Sequence, residues 1–502
     1  MSNYKHGIRT SRQATAISIP VTSDGCIQCV VGTAPVNLAA DPYDTVNKPF
    51  ACLKKEDAVT ALGYCNDFKN YTLCQSIYAT FNIFAVAPLI LINVLNPKKH
   101  VKASVSKTYT VEGGKIVIDE EGILLDQLNI ANEGGTTTYK ADEDYVASFT
   151  SDGTVTVSIV KTGAAKSEKS LKASFVQLDP SAVTYEDVIG SIDAVTKKKT
   201  GLELVNMVYP KYGYVPSLLL APGWSHVPAV ALALDAKVSS ISSLFTGKVV
   251  MDVDSAEGKA DSIDKVKEFK DNNAISSRGE IVMWPMVKVG DYKLYYSAMM
   301  AANLQYLAAN NNGIPSRSPS NKDAKITGLC LADGSEVLPD MDEANDYCNA
   351  CGVVTAINMN GWKNWGNNTA VYPSSTDPID RWINIVTIFD YIENNFKLTF
   401  FKDVDDLTNY RLIDEVVSGF NMQLNGLQGS DDIAGGEITF DHDENPIANI
   451  LNGSIKFHTK IGGYTPAEDI HNVFEFDPTI TQNARKRSIG GTLVDLPIFL
   501  DN

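Results

Sequence analysis

A serine and a histidine stand side by side in "GWSHV" at residues 223–227, which matches all but the last position of the G-x-S-x-G turn of serine hydrolases. Val227 replaces the second glycine of that turn, so we interpret Ser225 as the cap of a following helix. The pair Gly247-Lys248 lacks the upstream glycine and the hydroxyl residue of a phosphate-binding loop. The sequence therefore assigns no catalytic residue and no cofactor.

Residue types that bind metals are present, but their spacing does not favour a metal site. The pairs Cys26/Cys29 and Cys348/Cys351 lie far apart, and on a strand the first pair would point to opposite faces. "DHDEN" at 441–445 begins like a calcium loop, but Pro446 stands where such a loop needs glycine for its bend. We expect small buried thiols and a solvated acidic turn, and no bound metal.

Composition excludes several classes of partner. The net charge of −17 opposes phosphate groups, so we expect neither nucleic acid nor an anionic membrane surface as partner. The most apolar run, residues 83–95, is shorter than the roughly 20 residues that span a bilayer and contains Pro88. It predicts one or two buried strands and no membrane insertion. Few, scattered cysteines and a polar start without a signal pattern indicate a product made in the cytoplasm.

Alternating patterns define the elements that would position any site. Strand patterns at 215–223, 247–254 and 279–287 alternate with helix patterns at 226–245 and 262–273, which predicts a doubly wound, largely parallel sheet. We expect the strand at 83–95 in the same sheet.

Residues 97–199 differ in amino-acid composition and in pattern from the segments on either side. They are rich in Thr, Lys, Gly and Val, and stretches such as "TVTVSIV" alternate at the period of a strand between frequent turn signals. The segment predicts an all-β module inserted into the α/β core.

The fold class predicted is α/β plus α+β, in several domains. A helix at 377–396 opens a C-terminal region with strand patterns at 453–461 and 469–476. The predicted segments are an N-terminal arm at 1–22, a discontinuous α/β core at 23–96 and 200–375, an inserted β-rich domain at 97–199, a C-terminal α+β domain at 376–482, and a C-terminal arm at 483–502. Both arms alternate like strands but have no neighbour in sequence to pair with.

Five stretches, in chain order, resemble the contractile-tail sheath proteins of the P2-like and R-type-bacteriocin kind. They are "YKHGIRTSR" with "VVGTAPVNLA", then "LVNMVYPKYGYVPSLLLAPGWSHVPAVALALDAK", "WPMVKVGDYKLYYSAMMAA", "GIPSRSPSNKDAKITGLC" and "ENPIANILNGSIKFHTKIGGYTPAEDIHNVFEFD". The resemblance implies a structural protein and not an enzyme. Subunits of this family stack as hexameric rings in a helical sheath, and a metastable extended state contracts to drive an inner tube through a cell envelope.

The resemblance also implies partners and a location. The partners would be further copies of the chain, the inner tail tube protein, and the baseplate and tail terminator proteins. The protein would reside in a virion tail or a phage tail-like particle, made in the bacterial host cytoplasm, and would need no cofactor. The sequence leaves open whether the particle is a phage, a bacteriocin or another injection device.

In this family terminal arms complete a β-sheet in the C-terminal domains of neighbouring subunits, by strand addition. On this hypothesis one face of each arm is buried, Gly490 and Gly491 are the flexible joint, and Val494 is preferred over the face with Asp495. The buried arm residues would be Ile17, Ile19, Val21, Val494, Leu496 and Ile498. The receiving sheet would contain Ile455, Phe457, Thr459, Val473, Phe474 and Phe476. Arg411 is a candidate tube contact, with a role in solubility alone as the alternative.

Two other functions are the alternatives. A cytoplasmic α/β enzyme without a recognisable motif would have a deep polar pocket at the strand ends. A non-contractile surface or filament protein should carry a secretion signal, and no such pattern is visible. Electron microscopy of the purified protein separates these alternatives from a wide-bore sheath.

Overall fold

The N-terminal part of the chain supplies three strands of the main sheet. The structure, a computed structural model, describes residues 21–22, 25–150 and 153–481. The first elements are β1 (Val21–Thr22), β2 (Gln28–Gly32), β3 (Pro49–Cys52), α1 (Lys55–Leu62), α2 (Leu73–Ile77), a wider helical turn at Tyr78–Phe84, β4 (Val86–Ala87) and β5 (Leu89–Asn93). The apolar run at 83–95 thus contains the two strands β4 and β5. Every residue of both strands is buried, as predicted.

The next segment forms two antiparallel sheets that share one hydrophobic cluster. Its strands are β6 (Val105–Thr110), β7 (Lys115–Ile118), β8 (Asn129–Asn132), β9 (Thr138–Tyr139), β10 (Tyr145–Phe149), β11 (Val155–Ile159) and β12 (Ser170–Phe175). The sheet orders are β10-β11-β7 and β6-β12-β8-β9. Ile116 and Val157 of one sheet and Phe175 of the other belong to the same buried cluster. The β-rich pattern is confirmed, while the limits of an inserted domain stay a prediction.

The segment from residue 178 to the next strand packs differently from these sheets. Leu178, Val183 and Val188 belong to the buried cluster of the main sheet and not to that of β6–β12. Val188 lies on the short helix α3 (Tyr185–Ile189). This part of the predicted insertion is therefore anchored in the α/β core.

Strands and helices then alternate as predicted. The elements are α4 (Val208–Tyr212), β13 (Leu218–Leu220), α5 (Pro228–Val238), β14 (Lys248–Asp252), α6 (Val266–Asn272), β15 (Glu280–Met283), β16 (Met286–Val289), β17 (Tyr292–Leu294), α7 (Tyr296–Ala309), β18 (Gly328–Cys330), β19 (Glu336–Val337), α8 (Met341–Glu343), β20 (Val353–Asn358) and β21 (Trp362–Trp365). The eight-stranded sheet has the order β21-β20-β15-β14-β13-β2-β5-β3, and it is parallel except at its two outer pairs. Continuous apolar strands suit a sheet that is covered on both faces.

The region from residue 378 to residue 462 packs two long helices against a hairpin. Its elements are α9 (Pro378–Arg381), α10 (Ile383–Phe400), α11 (Tyr410–Gly429), β22 (Gly435–Thr439), α12 (Ile447–Leu451) and β23 (His458–Gly462). The Asp377 carboxylate accepts a hydrogen bond from the backbone N–H of Ile379 at 3.1 Å and caps α9. The single helix predicted at 377–396 is interrupted at Trp382, whose backbone is extended.

The chain divides into two compact units, Met1–Tyr464 and Thr465–Asn502. In the second unit the described residues form no strand; a helical turn at 478–481 begins after Asp477, whose carboxylate accepts from the Thr479 N–H at 2.8 Å. Among the described residues, no helix combines the length and the apolar character needed to cross a bilayer.

Candidate assembly surface

The hairpin of β22 and β23 is a two-stranded sheet that stands apart from the eight-stranded sheet. Its pairing is antiparallel, and Ile438 of β22 lies opposite Thr459 of β23. One face packs against α10 and α11 through a small buried cluster. The members of this cluster are Ile388, Ile392, Val416, Phe420, Leu424, Ile433 and Ile438.

Two asparagine side chains shape the backbone of this hairpin. Asn421, on α11, accepts from the N–H of Ile438 at 2.9 Å and donates to its carbonyl at 3.1 Å. Asn445 accepts from the N–H of Lys456 at 2.7 Å and donates to its carbonyl at 2.8 Å. Asn445 is buried and also donates to the Asp441 carbonyl at 2.7 Å. The "DHDEN" stretch is thus a turn closed by its own asparagine, with its first acids exposed.

The predicted receiving residues fall into two groups. Ile455 and Phe457 are half-buried just before β23, and Thr459 is exposed within it. Val473, Phe474 and Phe476 lie in no strand and are 75%, 90% and 80% exposed. The strand predicted at 469–476 is therefore wrong for the free chain. Alternation alone does not make a strand, and this segment, in the second compact unit, pairs with no strand of the described chain.

Most of the predicted arm residues lie outside the described residues: Ile17, Ile19, Gly490, Gly491, Val494, Leu496 and Ile498. Val21 is the exception. Its backbone pairs in parallel with Val86 of β4, and Thr22 pairs with Ala87, so this end of the predicted arm is held by its own chain. An arm that reaches a neighbour would have to leave the subunit before Val21.

Arg411 is exposed on the first turn of α11. The helix begins after Asn409, whose side chain accepts from the N–H of Leu412 at 3.0 Å. The exposed carboxylates of Asp414 and Glu415 follow on the same helix. The position is accessible to a partner, and its role as a tube contact stays a prediction.

The carboxyl ends of the core strands carry a cleft of about 640 Å³, lined in part by His226, Asp254 and Lys259.

The prediction that Ser225 caps the following helix is wrong. Helix α5 begins at Pro228 after Val227, and the buried Ser225 hydroxyl accepts a hydrogen bond from the Asp252 N–H at 3.2 Å. Asp252 accepts from Ser297 through its N–H at 2.8 Å and its hydroxyl at 2.5 Å. Burial raises the pKa of Asp252 to about 6 despite these bonds. The hydrogen bonds of Ser225, Asp252 and Ser297 therefore connect buried parts of the core to the strand β14.

The core and the C-terminal helices are joined by buried polar contacts that sequence patterns did not reveal. Lys248 at the start of β14 pairs with Asp390 of α10 at 2.5 Å, and their side chains are 6% and 16% exposed. Asn394 accepts from the Thr246 N–H at 3.1 Å and donates to its carbonyl at 2.8 Å. In the sequence these contacts are indicated only by polar residues, such as Asp390 and Asn394, within the apolar helix pattern of α10. Such a pattern does not identify the partners of these residues.

The eight cysteines are free thiols, and all except Cys65 are buried. The prediction of small buried thiols is confirmed for the pairs Cys26/Cys29 and Cys348/Cys351. Burial raises the pKa of Cys26 to about 12, which keeps its thiol protonated near neutral pH. Among the described residues, no group of three or more potential metal ligands is found.

No protein-family model matches the chain. The tail sheath protein of Burkholderia phage BcepMu is 24% identical over 486 residues, which cover 93% of this chain and 95% of that protein. The tail sheath protein of Escherichia phage P2 is 24% identical over 301 residues, which cover 58% of this chain and 70% of that protein.

Solved structures show the same fold. A chain of the sheath complex of the extracellular contractile injection system PVC, in its contracted state, superposes with a TM-score of 0.55 at 12% identity and covers 96% of this chain and 100% of its own. A chain of the anti-feeding prophage baseplate gives a TM-score of 0.56 at 14% identity, with coverages of 95% and 100%. The fold is therefore that of the proteins of contractile injection systems. These relatives and this fold confirm the resemblance to contractile tail sheath proteins that the sequence showed.

Proposed function

We propose that this chain is a sheath subunit that stacks as hexameric rings around an inner tube and contracts from a metastable extended state to drive the tube through a cell envelope. The observation that carries the proposal is the extent of the similarity. The chain matches 95% of the BcepMu tail sheath protein, and its fold covers a whole chain of a contracted sheath complex. Similarity over nearly the whole of a tail sheath protein supports the same function for this chain.

Strand exchange between copies is the mode of assembly that we propose. The β22–β23 hairpin is a two-stranded sheet, and isolated two-stranded sheets are marginally stable in water. Terminal segments at 16–20, which precede Val21, and at 492–498 would add to it as strands from neighbouring subunits. Such head-to-tail exchange is heterologous, so it generates rings and helical filaments instead of closed dimers.

The proposed partners follow from this assembly. They are further copies of the chain, the inner tail tube protein, and the baseplate and tail terminator proteins at the two ends, in a virion tail or a phage tail-like particle. The C-terminal region would face the tube, with Arg411 as a candidate contact. Contraction would be driven by contacts between subunits that are better in the contracted state, and it would need no cofactor.

The test begins with electron microscopy of the purified protein and of a variant without residues 1–20. The cut precedes Val21, so the pairing of β1 with β4 is retained. We expect wide-bore helical cylinders from the full chain and unassembled subunits from the truncated one. Normal cylinders from the truncated chain would contradict strand exchange by the N-terminal arm, and a discrete small particle from the full chain would contradict the sheath function.

A pair of matched variants tests the arm without deletion. Ile17→Asp with Ile19→Asp places charge on the proposed buried face, while Ala16→Asp with Ser18→Asp places the same charge on the other face. We expect only the first pair to prevent assembly. Equal loss in both pairs would show that added charge, and not a buried strand face, explains the effect.

A further inference from the structure

The loop at residues 191–200, which follows α3, is exposed along most of its length. We call it the lysine loop. Its two sides are joined by backbone hydrogen bonds: the N–H of Thr200 donates to the carbonyl of Ser191 at 3.0 Å, and the N–H of Asp193 donates to the carbonyl of Lys198 at 2.9 Å. These bonds hold the loop together although little of it is buried.

The tip of the lysine loop presents one apolar side chain beside basic ones. The Asp193 carboxylate accepts from the N–H groups of Val195 at 3.0 Å and Thr196 at 2.6 Å, which turns the chain there. Val195 is 89% exposed, and the exposed Lys197 and Lys198 have no ion-pair partner among the described residues. Since every copy of the chain has a net charge of −17, this basic loop is attracted to acidic surfaces of other copies.

A second exposed surface has the complementary character. Helix α8 and the turn after it expose Met341, Asp342, Asp346 and Tyr347, and the side chain of Leu338, just before them, is 65% exposed. We call these five residues the edge patch. Its two aspartates have no ion-pair partner within the part of the chain that the structure describes. Three large apolar side chains beside two free carboxylates match an apolar tip flanked by lysines.

The lysine loop and the edge patch lie beside opposite edges of the eight-stranded sheet. Gly201, directly after the loop, donates its N–H to the side chain of Asn47 at 3.0 Å, and Asn47 precedes the outer strand β3. Trp365, on the other outer strand β21, donates its indole N–H to the side chain of Asn345, among the patch residues, at 2.8 Å. Eight strands spaced about 4.8 Å apart place the outer strands roughly 34 Å from each other. The loop is therefore too far from the patch of its own chain to bind it.

We propose that the lysine loop of one copy binds the edge patch of a second copy beside it, with Val195 against the apolar side chains and the lysines against the aspartates. This inference rests on the proposed function, in which neighbouring subunits of a ring lie side by side. A contact between two different surfaces is heterologous, so its repetition closes a ring. Because the contact is partly ionic and exposed, it should weaken as the salt concentration rises.

A charge exchange tests this contact. Lys197→Glu with Lys198→Glu places acids against the aspartates of the edge patch, so we expect at least tenfold less protein in sedimented cylinders. Asp342→Lys with Asp346→Lys should also reduce assembly. When the two pairs are combined in one chain, the charges are opposite again, and assembly should be restored. Electron microscopy of the sedimented protein measures the result.

A matched pair of lysines controls for net charge. Lys166→Glu with Lys169→Glu makes the same change of charge at exposed residues of the β-rich segment, and we expect it to assemble like the wild type. All these side chains are exposed, so the thermal unfolding temperature of the unassembled subunits should not change. Full assembly of the Lys197→Glu, Lys198→Glu variant would overturn the proposal, as would a combined variant that stays impaired when both pairs are impaired.

A cross-link identifies what occupies the edge patch. Val195→Cys and Tyr347→Cys place one thiol on each surface, in a Cys65→Ser background that removes the native thiol that is not buried. A short bis-maleimide should join copies of the assembled protein into a ladder of covalent oligomers on a denaturing gel. Val195→Cys alone should give no ladder. Assembled protein with both new cysteines and no ladder would overturn the pairing of these surfaces.

Two outcomes separate failure of this inference from failure of the proposed function. If the Lys197→Glu, Lys198→Glu variant forms normal cylinders and no cross-linked ladder appears, the sheath function stands and the inference is wrong. If the full chain forms a discrete small particle, the sheath function is wrong, and the inference that rests on it is wrong as well.

Discussion

Two sheets of this protein use strands in opposite ways. Every residue of β2 and β5 in the eight-stranded sheet is buried, whereas β23 of the hairpin has four exposed residues out of five. The large sheet has antiparallel strands at both outer pairs and satisfies its central strands within the chain. The hairpin of β22 and β23 pairs with no further strand of the described residues. On the proposed function, the large sheet supplies the stability of the subunit and the hairpin supplies an assembly surface.

The regions are nevertheless joined by specific contacts. The ion pair of Lys248 with Asp390 and the paired bonds of Asn394 with Thr246 connect the main sheet to α10, against which the hairpin cluster packs. A mechanical load applied to the hairpin during the proposed contraction would be transmitted to the main sheet through these contacts. We therefore expect them to matter more for stability than any contact within the hairpin.

The largest expected effect is from Lys248→Met. This change leaves the Asp390 carboxylate buried without its cation, and loss of one partner of a buried ion pair costs about 3–5 kcal/mol of unfolding free energy. Urea denaturation of the unassembled subunit measures it. The double variant with Asp390→Leu should recover most of the lost unfolding free energy. A Lys248→Met variant as stable as the wild type would show that the ion pair of Lys248 with Asp390 is not essential for stability.

Leu91→Ala tests the closed sheet. Leu91 is fully buried in β5, and the cavity left by the change should cost about 2–5 kcal/mol. Leu407→Ala is the control, because Leu407 is 82% exposed and its loss should change the unfolding free energy by about 0.5 kcal/mol or less. Equal effects from the two variants would contradict the assignment of stability to the main sheet.

The pH dependence of stability should originate in the core. The pKa of Asp252 is raised to about 6 by burial, so the folded state holds a proton that the unfolded state releases near pH 4. The unfolding free energy should fall as pH rises from about 4 to 6, by up to about 3 kcal/mol. Asp252→Asn should flatten this part of the curve, while Glu280→Gln should flatten a higher part, because burial raises the pKa of Glu280 to about 7. An unchanged slope in Asp252→Asn would contradict the assignment.

The smallest expected effect is in hydrogen exchange. In the unassembled subunit the amides of β5 should exchange only on global unfolding, whereas the outward amides of Thr459 and Ile461 should exchange without protection. Assembly should slow the exchange of these two residues about tenfold or more and leave β5 unchanged. Mass spectrometry of peptides from both strands measures this difference, and absence of added protection in the hairpin would argue against strand addition.

Local patterns predicted the α/β core well because each strand there carries its own signal. The predicted stretches contain β5, β13, β14 and the helix α5, but the observed elements are shorter: β13 has three residues, and α5 ends at Val238 instead of 245. The small sheet β17-β16-β18-β19 was missed, since its strands are two to four residues long. The strand predicted at 469–476 is wrong because this alternating segment pairs with no strand among the described residues.

The sequence by itself determined the mixed α/β fold class, the acidic charge and the resemblance to tail sheath proteins, because apolar periodicity and the stretches that carry the resemblance are local. Tertiary structure alone decided which polar side chains meet. Nothing in the order of residues pairs Lys248 with Asp390 or directs the amide of Asn421 to the backbone of Ile438. These contacts join residues distant along the chain or on different elements, and their geometry is fixed only when helices and strands pack.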